Sequence, residues 1–231
     1  FLGDVRINAP GFVRVAGGGV VQADGNVAIN APYVAIGREF AAPLDPGQRF
    51  QPFVSWSAAT GTADFFPTPL GGAGSLDVSA SLIDVGTLSL QGMGRALLAA
   101  DGGDIRGNGT LNMAGDLTLR SAQVYPTTLA AFDIFAYDPP GGTGSVTITG
   151  SGRAAAPLSA GGSLRIFASN INQNGTLRAP LGSIVLGWDG TDLDPSTPAL
   201  DGPRDAVSGA STLAAKVVSL SGGSTTSVSA N

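Results

Sequence analysis

Hydrophobic and polar residues alternate along much of the chain, and the same alternation returns after a glycine. In the stretch GNVAINAPYVAIG, Val27 and Ile29 are the second and fourth residues after Gly25, and a small residue, Ala31, is the sixth. Alternation with a period of two predicts β-strands that have one buried face. The pattern recurs after the following glycines: Gly3, Gly74, Gly115, Gly144, Gly162 and, less regularly, Gly182.

The spacing of these glycines predicts the architecture. Gly3 and Gly25 are separated by 22 residues, and Gly162 and Gly182 by 20. A repeat of this length with one inward-facing strand per unit is typical of a parallel β-solenoid. An antiparallel β-sandwich also has many short strands, but its strands need not share one register. We therefore expect residues 1–231 to form an all-β, right-handed parallel β-helix with insertions outside the helix.

Asn8 and Asn30 occupy equivalent positions beside the small residues. Two interpretations stay open. The side chains stack as a ladder of amides, each bonding to the next unit. Otherwise they are turn residues that face solvent.

The first break in the pattern is at residues 38–73, which are rich in aromatic residues and proline. Proline interrupts strand pairing, so this stretch is predicted to leave the coil. One interpretation is a loop that buries its own aromatic residues, which are usually packing material. The other is a platform for sugar rings or a protein ligand. Its candidate ligand contacts are Phe40, Phe53, Trp56, Phe65 and Phe66.

The second predicted insertion covers residues 122–144, and it also contains several aromatic residues. The same two interpretations apply to it. Its DPPGG sequence indicates a turn.

An acidic, proline-rich loop is predicted at residues 187–209. Asp189, Asp192 and Asp194 are close enough in sequence to bind calcium, since carboxylates are calcium ligands. Their spacing does not match the EF-hand loop, and the repeated glycine-rich nonapeptide of calcium-binding β-rolls is missing. Solvated carboxylates are the preferred interpretation, and no metal site is predicted.

Composition excludes several kinds of chemistry. The chain contains no cysteine and no histidine, so disulfides, thiolate metal sites, cysteine nucleophiles and histidine bases are absent. The net charge of -5 argues against binding to nucleic acid or to an anionic membrane, which both require a cationic face. No apolar run approaches the roughly 18 residues of a membrane helix. We therefore expect no cofactor and no membrane insertion.

Enzymatic activity is not expected from the distribution of acidic residues. Polysaccharide hydrolysis needs paired carboxylates that flank a cleft, and lyase chemistry needs a base. The acids are scattered, as at Asp77, Asp84, Asp101, Asp104 and Asp116. A polysaccharide-active β-helix enzyme is the least favoured alternative. An Asp/Arg cluster in one groove, together with turnover of polyanionic sugars, would revive it.

Residues 161–188, GGSLRIFASNINQNGTLRAPLGSIVLGW, resemble the filamentous haemagglutinin family of large bacterial exoproteins. These exoproteins are the passengers of two-partner secretion. Their repeats combine Gly-Ser-Leu-x-Leu-x-Ala, Ile-x-Gln-x-Gly and Leu-x-Ala-Pro-x-Gly-x-Ile-x-Leu. The matching residues here are Gly162, Ser163, Leu164, Ile166, Ala168, Ile171, Gln173, Gly175, Leu177, Ala179, Pro180, Gly182, Ile184 and Leu186.

This resemblance implies a function that is mechanical. The chain would be an internal piece of a right-handed β-helical stalk, secreted through an outer-membrane partner and exposed at a Gram-negative cell surface. The family supplies no catalytic residues. The alternative is a binding module in which residues 38–73 recognise a host glycan or a host protein.

Overall fold

The computed structural model describes residues 3–16, 19–38, 55–57, 62–64, 68–191, 203, 205, 208 and 214–230. Among these residues there are strands, turns and irregular segments but no helix. Accordingly, no helix long and apolar enough to cross a membrane occurs in the described ranges. For the described residues, the prediction of an all-β fold is confirmed.

Most strands belong to two sheets that are entirely parallel. The twelve-stranded sheet contains β1 (Val5–Asn8), β2 (Phe12–Val15), β4 (Asn26–Asn30), β5 (Tyr33–Ile36), β8 (Gly74–Val85), β10 (Met93–Gly107), β12 (Asp116–Pro126), β14 (Ser145–Gly150), β16 (Asn170–Asn174), β17 (Thr176–Arg178), β19 (Val217–Leu220) and β20 (Thr225–Ser227). The six-stranded sheet contains β3 (Val20–Gln22), β9 (Leu88–Gln91), β11 (Gly109–Ala114), β13 (Ala131–Tyr137), β15 (Ser163–Ala168) and β18 (Ser183–Leu186).

The register of the twelve-stranded sheet places the predicted inward residues in columns. Each β4 residue pairs with the β8 residue at the same distance from the repeat glycine, so that Val27 pairs with Leu76 and Ile29 with Val78. The first column consists of Val5, Val27, Leu76, Ala96, Leu117, Val146, Ile171 and Val218. Because the strands repeat the same alternation, parallel in-register pairing buries this side of the central strands together, whereas the end strands β1 and β19 stay largely exposed.

Two further columns of apolar residues complete the core. One passes through the C-terminal parts of the long strands β8, β10 and β12, and the other lies in the six-stranded sheet. In the twelve-stranded sheet, one column consists of Val13, Val34, Ile83, Ile105, Val124 and Leu177. In the six-stranded sheet, another consists of Leu88, Leu111, Ile134, Ile166 and Leu186. These columns belong to one hydrophobic core that includes residues of both sheets. This parallel stacking is consistent with a β-solenoid-like fold.

Backbones approach closely at several of the repeat glycines, and Gly182 and Gly115 are two examples. A Cβ added at Gly182 would lie 1.7 Å from the carbonyl oxygen of Gly162. At Gly115, whose φ is +120°, a Cβ would lie 2.2 Å from the carbonyl oxygen of Gly94. Glycine is required at both positions because any side chain would overlap backbone atoms.

The expectation that residues 122–144 form an insertion is wrong. Strand β12 continues to Pro126 within the twelve-stranded sheet, and β13 lies inside the six-stranded sheet. Phe132 points into the core and pairs with Leu164 of the next unit. Phe135 is on the opposite face and is only 1% exposed. Both faces of β13 are buried, so its sequence has apolar residues on both faces and does not show the alternation by which the repeat is recognised.

Residues 38–73 are described only in part. Strands β6 (Ser55–Ser57) and β7 (Thr62–Asp64) pair with each other in an antiparallel two-stranded sheet, which contrasts with the parallel pairing of the two large sheets. Residues 39–54, 58–61 and 65–67 lie outside the described part of the chain.

The positions of Asn8 and Asn30 are those that the repeat predicts. They pair in register, and both residues are exposed. The interpretation as solvent-facing residues is therefore favoured over a buried amide ladder.

Candidate functional site

The aromatic residues proposed as ligand contacts are mostly outside the described residues. Phe40, Phe53, Phe65 and Phe66 lie outside them, and Trp56 is in β6, where the structure gives the backbone pairing with Ala63. The structure therefore does not test these five contacts, which stay a prediction.

The acidic loop is described at Asp189, whereas Asp192 and Asp194 lie outside the described residues. The Asp189 carboxylate accepts hydrogen bonds from the amide and the hydroxyl of Thr191, at 3.0 and 2.7 Å. These bonds lower the pKa of Asp189 by stabilising its charged form. Within the described part of the chain, no group of three acidic residues is placed to hold a metal ion.

Further along the same loop, Asp205 is buried against the outer side of the six-stranded sheet. Its Oδ2 atom accepts hydrogen bonds from Asn112 Nδ2 at 2.5 Å, from the Tyr137 hydroxyl at 2.9 Å and from Ser208 Oγ at 2.7 Å. Asp205 and Asn112 are both 0% exposed. Burial, reinforced by the charge of Asp205, raises the pKa of Tyr137. This acidic residue fastens the loop to the sheet and is not a solvated carboxylate.

A cluster of charged and phenolic side chains covers the outer face of the twelve-stranded sheet where β5, β8 and β10 are adjacent. Arg106 makes two hydrogen bonds with Asp84, Nε to Oδ1 and Nη2 to Oδ2, both at 2.7 Å. The Tyr33 hydroxyl donates a third bond to Oδ2 of the same carboxylate at 2.8 Å. The Asp84 side chain is only 9% exposed. A bidentate bond from arginine is the strongest common partner for such a carboxylate.

Asp104 extends this cluster toward the next unit. Its Oδ2 atom accepts bonds from the Tyr125 hydroxyl at 3.1 Å and from Gln123 Nε2 at 3.2 Å. The pKa of Tyr125 is raised, first by burial and then by the charge of Asp104. The pKa of Tyr33 is raised by burial and by its bond to Asp84. Both phenols therefore stay protonated near neutral pH and act as hydrogen-bond donors, not as bases.

The sequence contained a pattern that could have revealed this cluster. The residues YVAI, LIDV and DIRG align in register, which places Ala35 beside Asp84 and Asp84 beside Arg106. Extending the repeat beyond its first strand would have brought these charges together. The grouping of Asp84, Asp104 and Arg106 is the kind of cluster that the enzyme hypothesis requires. Both carboxylates, however, are already bonded to arginine, tyrosine or glutamine, so this arrangement favours binding or stability over proton transfer.

Ion pairs between units also occur elsewhere on the outer surface. Arg120 Nε bonds to Asp101 Oδ1 at 2.8 Å, and Arg165 Nε bonds to Asp133 Oδ1 at 2.6 Å. Each pair joins two strands that are adjacent in a sheet: β10 with β12 for the first pair, and β13 with β15 for the second. Ion pairs between neighbouring strands therefore recur on the outer surface. The Asp84–Arg106 and Asp133–Arg165 pairs are more buried than the Asp101–Arg120 pair.

A groove adjoins the Asp84 cluster on the side of β2. Its cavity volume is about 330 Å³, within the range of small-ligand sites. Phe12, Arg14, Tyr33, Arg38 and Asp84 are among the lining residues. This groove brings charged and aromatic side chains together in one concave site.

Comparisons with known proteins identify no relative. No protein-family model, no curated protein and no solved structure matches the chain.

Proposed function

We propose that the chain is a segment of a right-handed parallel β-helix that forms the stalk of a secreted bacterial exoprotein of the filamentous haemagglutinin type. The observation that carries this proposal is the first core column, in which eight successive strands pair in parallel at one inward position, from Val5 to Val218.

A right-handed coil is the form that best explains this stacking. Consecutive parallel strands of one sheet need a crossover, and crossovers between parallel strands are right-handed in nearly all proteins. Here the intervening strands of the six-stranded sheet supply the return path, since β9, β11, β13 and β15 alternate in sequence with β8, β10, β12, β14 and β16. Each unit adds about 4.8 Å of length. Such a coil is a rigid spacer whose length grows with the number of units.

The spacer role accounts for the outer surface without catalysis. The ion pairs tie adjacent units together, and the described carboxylates of the Asp84 cluster are bonded to neighbouring side chains. The resemblance of residues 161–188 supports secretion through an outer-membrane partner and exposure at the cell surface. Cysteine-free composition is compatible with transport in an unfolded form.

Antibodies raised against the purified chain test the location. On intact cells of the source bacterium, we expect immunogold labelling at the surface, which disappears when the gene for the outer-membrane partner is deleted. Labelling that is confined to the cytoplasm contradicts the proposal. Negative-stain electron microscopy of the secreted protein should show thin rods, and compact particles would count against a stalk.

The antiparallel β6–β7 pair favours a second candidate function. It departs from the parallel stacking, so residues 38–73 are suited to present a contact surface for a host glycan or protein. Trp56→Ala should then weaken binding of whichever host ligand is captured by the intact protein. Unchanged binding argues against this function and leaves the stalk proposal intact.

A further inference from the structure

Residues 151–162, which join β14 to β15, form the longest connection between consecutive strands from β8 to β18. The connection is fastened to neighbouring units at both of its ends. The Ser151 hydroxyl donates a hydrogen bond to Asp101 Oδ1 at 3.0 Å. Near the other end, the Ser159 hydroxyl donates to the carbonyl oxygen of Pro126 at 2.5 Å. The residues between these two anchors therefore form a defined exposed loop on the coil.

The backbone between the two anchors is free of pairing. Within the described part of the chain, residues 152–158 neither donate nor accept a backbone hydrogen bond. The exposed residues among them are Gly152, Arg153, Ala155, Ala156 and Leu158. A peptide that binds as an added strand needs free backbone groups, and exposed loops of small residues are the preferred places for proteolytic cleavage. This loop therefore has the properties of a protease substrate.

Arg153 differs from the other described arginines. Its side chain is exposed, and among the described residues it has no hydrogen-bond or ion-pair partner. The backbones of the other described arginines are paired in strands or, at Arg38, in a bridge to Thr87. A protease reaches such residues only after local unfolding, which costs free energy. Arg153 is therefore the described arginine that a protease reaches in the folded chain.

We propose that the peptide bond between Arg153 and Ala154 is a processing site for an arginine-directed serine protease. The bond between the Arg153 carbonyl carbon and the Ala154 nitrogen breaks. One water molecule supplies the hydroxyl of the new carboxyl group and the proton of the new amine. The free guanidinium of Arg153 enters the acidic specificity pocket that defines this class of protease.

The cut chain stays one folded body, because the parts before and after the cut share both sheets. Strand β15 pairs with β13, β16 with β14, and β17 with β12. Ile171, after the cut, pairs with Val146, before it, and both are 0% exposed in the common core. The ion pair of Arg165 with Asp133 also joins the two parts. Processing therefore changes the covalent connection and leaves the fold, and the inference does not require the chain to be a stalk.

The test is limited digestion of the folded 231-residue chain by an arginine-specific endoprotease, with mass spectrometry of the products. Every sample carries Arg49→Gln and Arg204→Gln, because these two arginines lie outside the described residues. Arg153→Gln is the variant. Arg95→Gln is the matched control, because the Arg95 side chain is 66% exposed while its backbone is paired within β10. Circular dichroism verifies that each protein folds.

We expect the first products to be residues 1–153 and 154–231, which elute together in size-exclusion chromatography and separate in concentrated urea. Arg153→Gln should slow the first cleavage about tenfold or more, since the other described sites require local unfolding. Arg95→Gln should leave the rate unchanged. The proposal is overturned by a first cut at an arginine in a strand, by equal slowing in the two variants, or by fragments that separate without urea.

Protein recovered from the source cells shows whether the site is used. Mass spectrometry should find an amino terminus at Ala154 in this material. Recovery of only uncut chains overturns the assignment as a processing site. Each of these outcomes leaves the location tests of the proposed stalk unaffected.

Discussion

Arg106 and Asp84 are 22 residues apart in sequence, yet both nitrogen–oxygen distances of their bidentate pair are 2.7 Å. The parallel register makes this contact, since the two residues face each other across β8 and β10. Asp84 also accepts the Tyr33 hydroxyl from β5 on its other side. One carboxylate thus connects three neighbouring strands, β5, β8 and β10, on the outer face of the sheet, which the hydrophobic core does not stabilise.

Removing Arg106 should destabilise the chain strongly. Arg106→Ala leaves the carboxylate of Asp84, which is 9% exposed, without its counter-ion. Breaking a buried pair in this way costs about 3 kcal/mol. Urea unfolding followed by circular dichroism measures the loss.

Arg120→Ala is the matched control for Arg106→Ala. The Arg120 and Asp101 side chains are 43% and 54% exposed, so solvent screens their attraction. The expected loss is below about 1 kcal/mol. Equal losses for the two arginines would show that burial of Asp84 does not govern the energetics.

The close approach at Gly182 predicts a position-specific effect of a single methyl group. Gly182→Ala places a Cβ on the carbonyl oxygen of Gly162, so β15 and β18 must separate. We expect a loss of about 2 kcal/mol or more, as in overpacked sites. At Gly222 a Cβ meets nothing within 4 Å. Gly222→Ala should change stability by less than about 1 kcal/mol in the same unfolding assay. A comparable loss at both positions contradicts the argument.

The sequence was sufficient for the parallel, in-register core because period-two alternation depends on local pattern alone. The columns that include Val27 and Ile29 follow directly from it. It was insufficient for β13, because Phe132 and Phe135 are buried on opposite faces and the alternation disappears. Burial of the outer face depends on a distant part of the chain, which no local pattern reports.

The candidate site was missed for a related reason. Asp84 and Arg106 appear as isolated charges along the sequence, and only the pairing of β8 with β10 makes them neighbours. Asp205 lies in the predicted acidic loop, residues 187–209, but no contact was predicted for it. Its contact with Asn112 spans 93 residues, a separation at which sequence spacing carries no information.

The three tyrosines of the chain predict a loss of stability at alkaline pH. The pKa values of Tyr33, Tyr125 and Tyr137 are all raised above 10, chiefly by burial. A raised pKa means that the folded state keeps its proton when the unfolded state has lost it. This contribution to stability is complete below pH 10 and declines as pH rises above 10.

Phenolate absorbance at 295 nm measures this effect. The native chain should show less phenolate at pH 10 than the chain in concentrated urea, which is about half ionised at that pH. Tyr125→Phe removes one of the shifted groups and should make stability fall less steeply between pH 10 and 11. Native titration of all three tyrosines near pH 10 would contradict the burial of their hydroxyls.

Asp205 and Asp189 allow the structural role of the acidic loop to be separated from its charge. Asp205→Ala removes the acceptor shared by Asn112, Tyr137 and Ser208, and the fully buried Asn112 amide loses its hydrogen bond to this carboxylate. We expect a loss of about 2–3 kcal/mol in urea unfolding. Asp189→Ala changes the net charge equally but affects an exposed carboxylate bonded only within its own turn, so its expected loss is below about 1 kcal/mol. If the two variants lose equal stability, charge and not the buried contact of Asp205 fastens the loop to the six-stranded sheet.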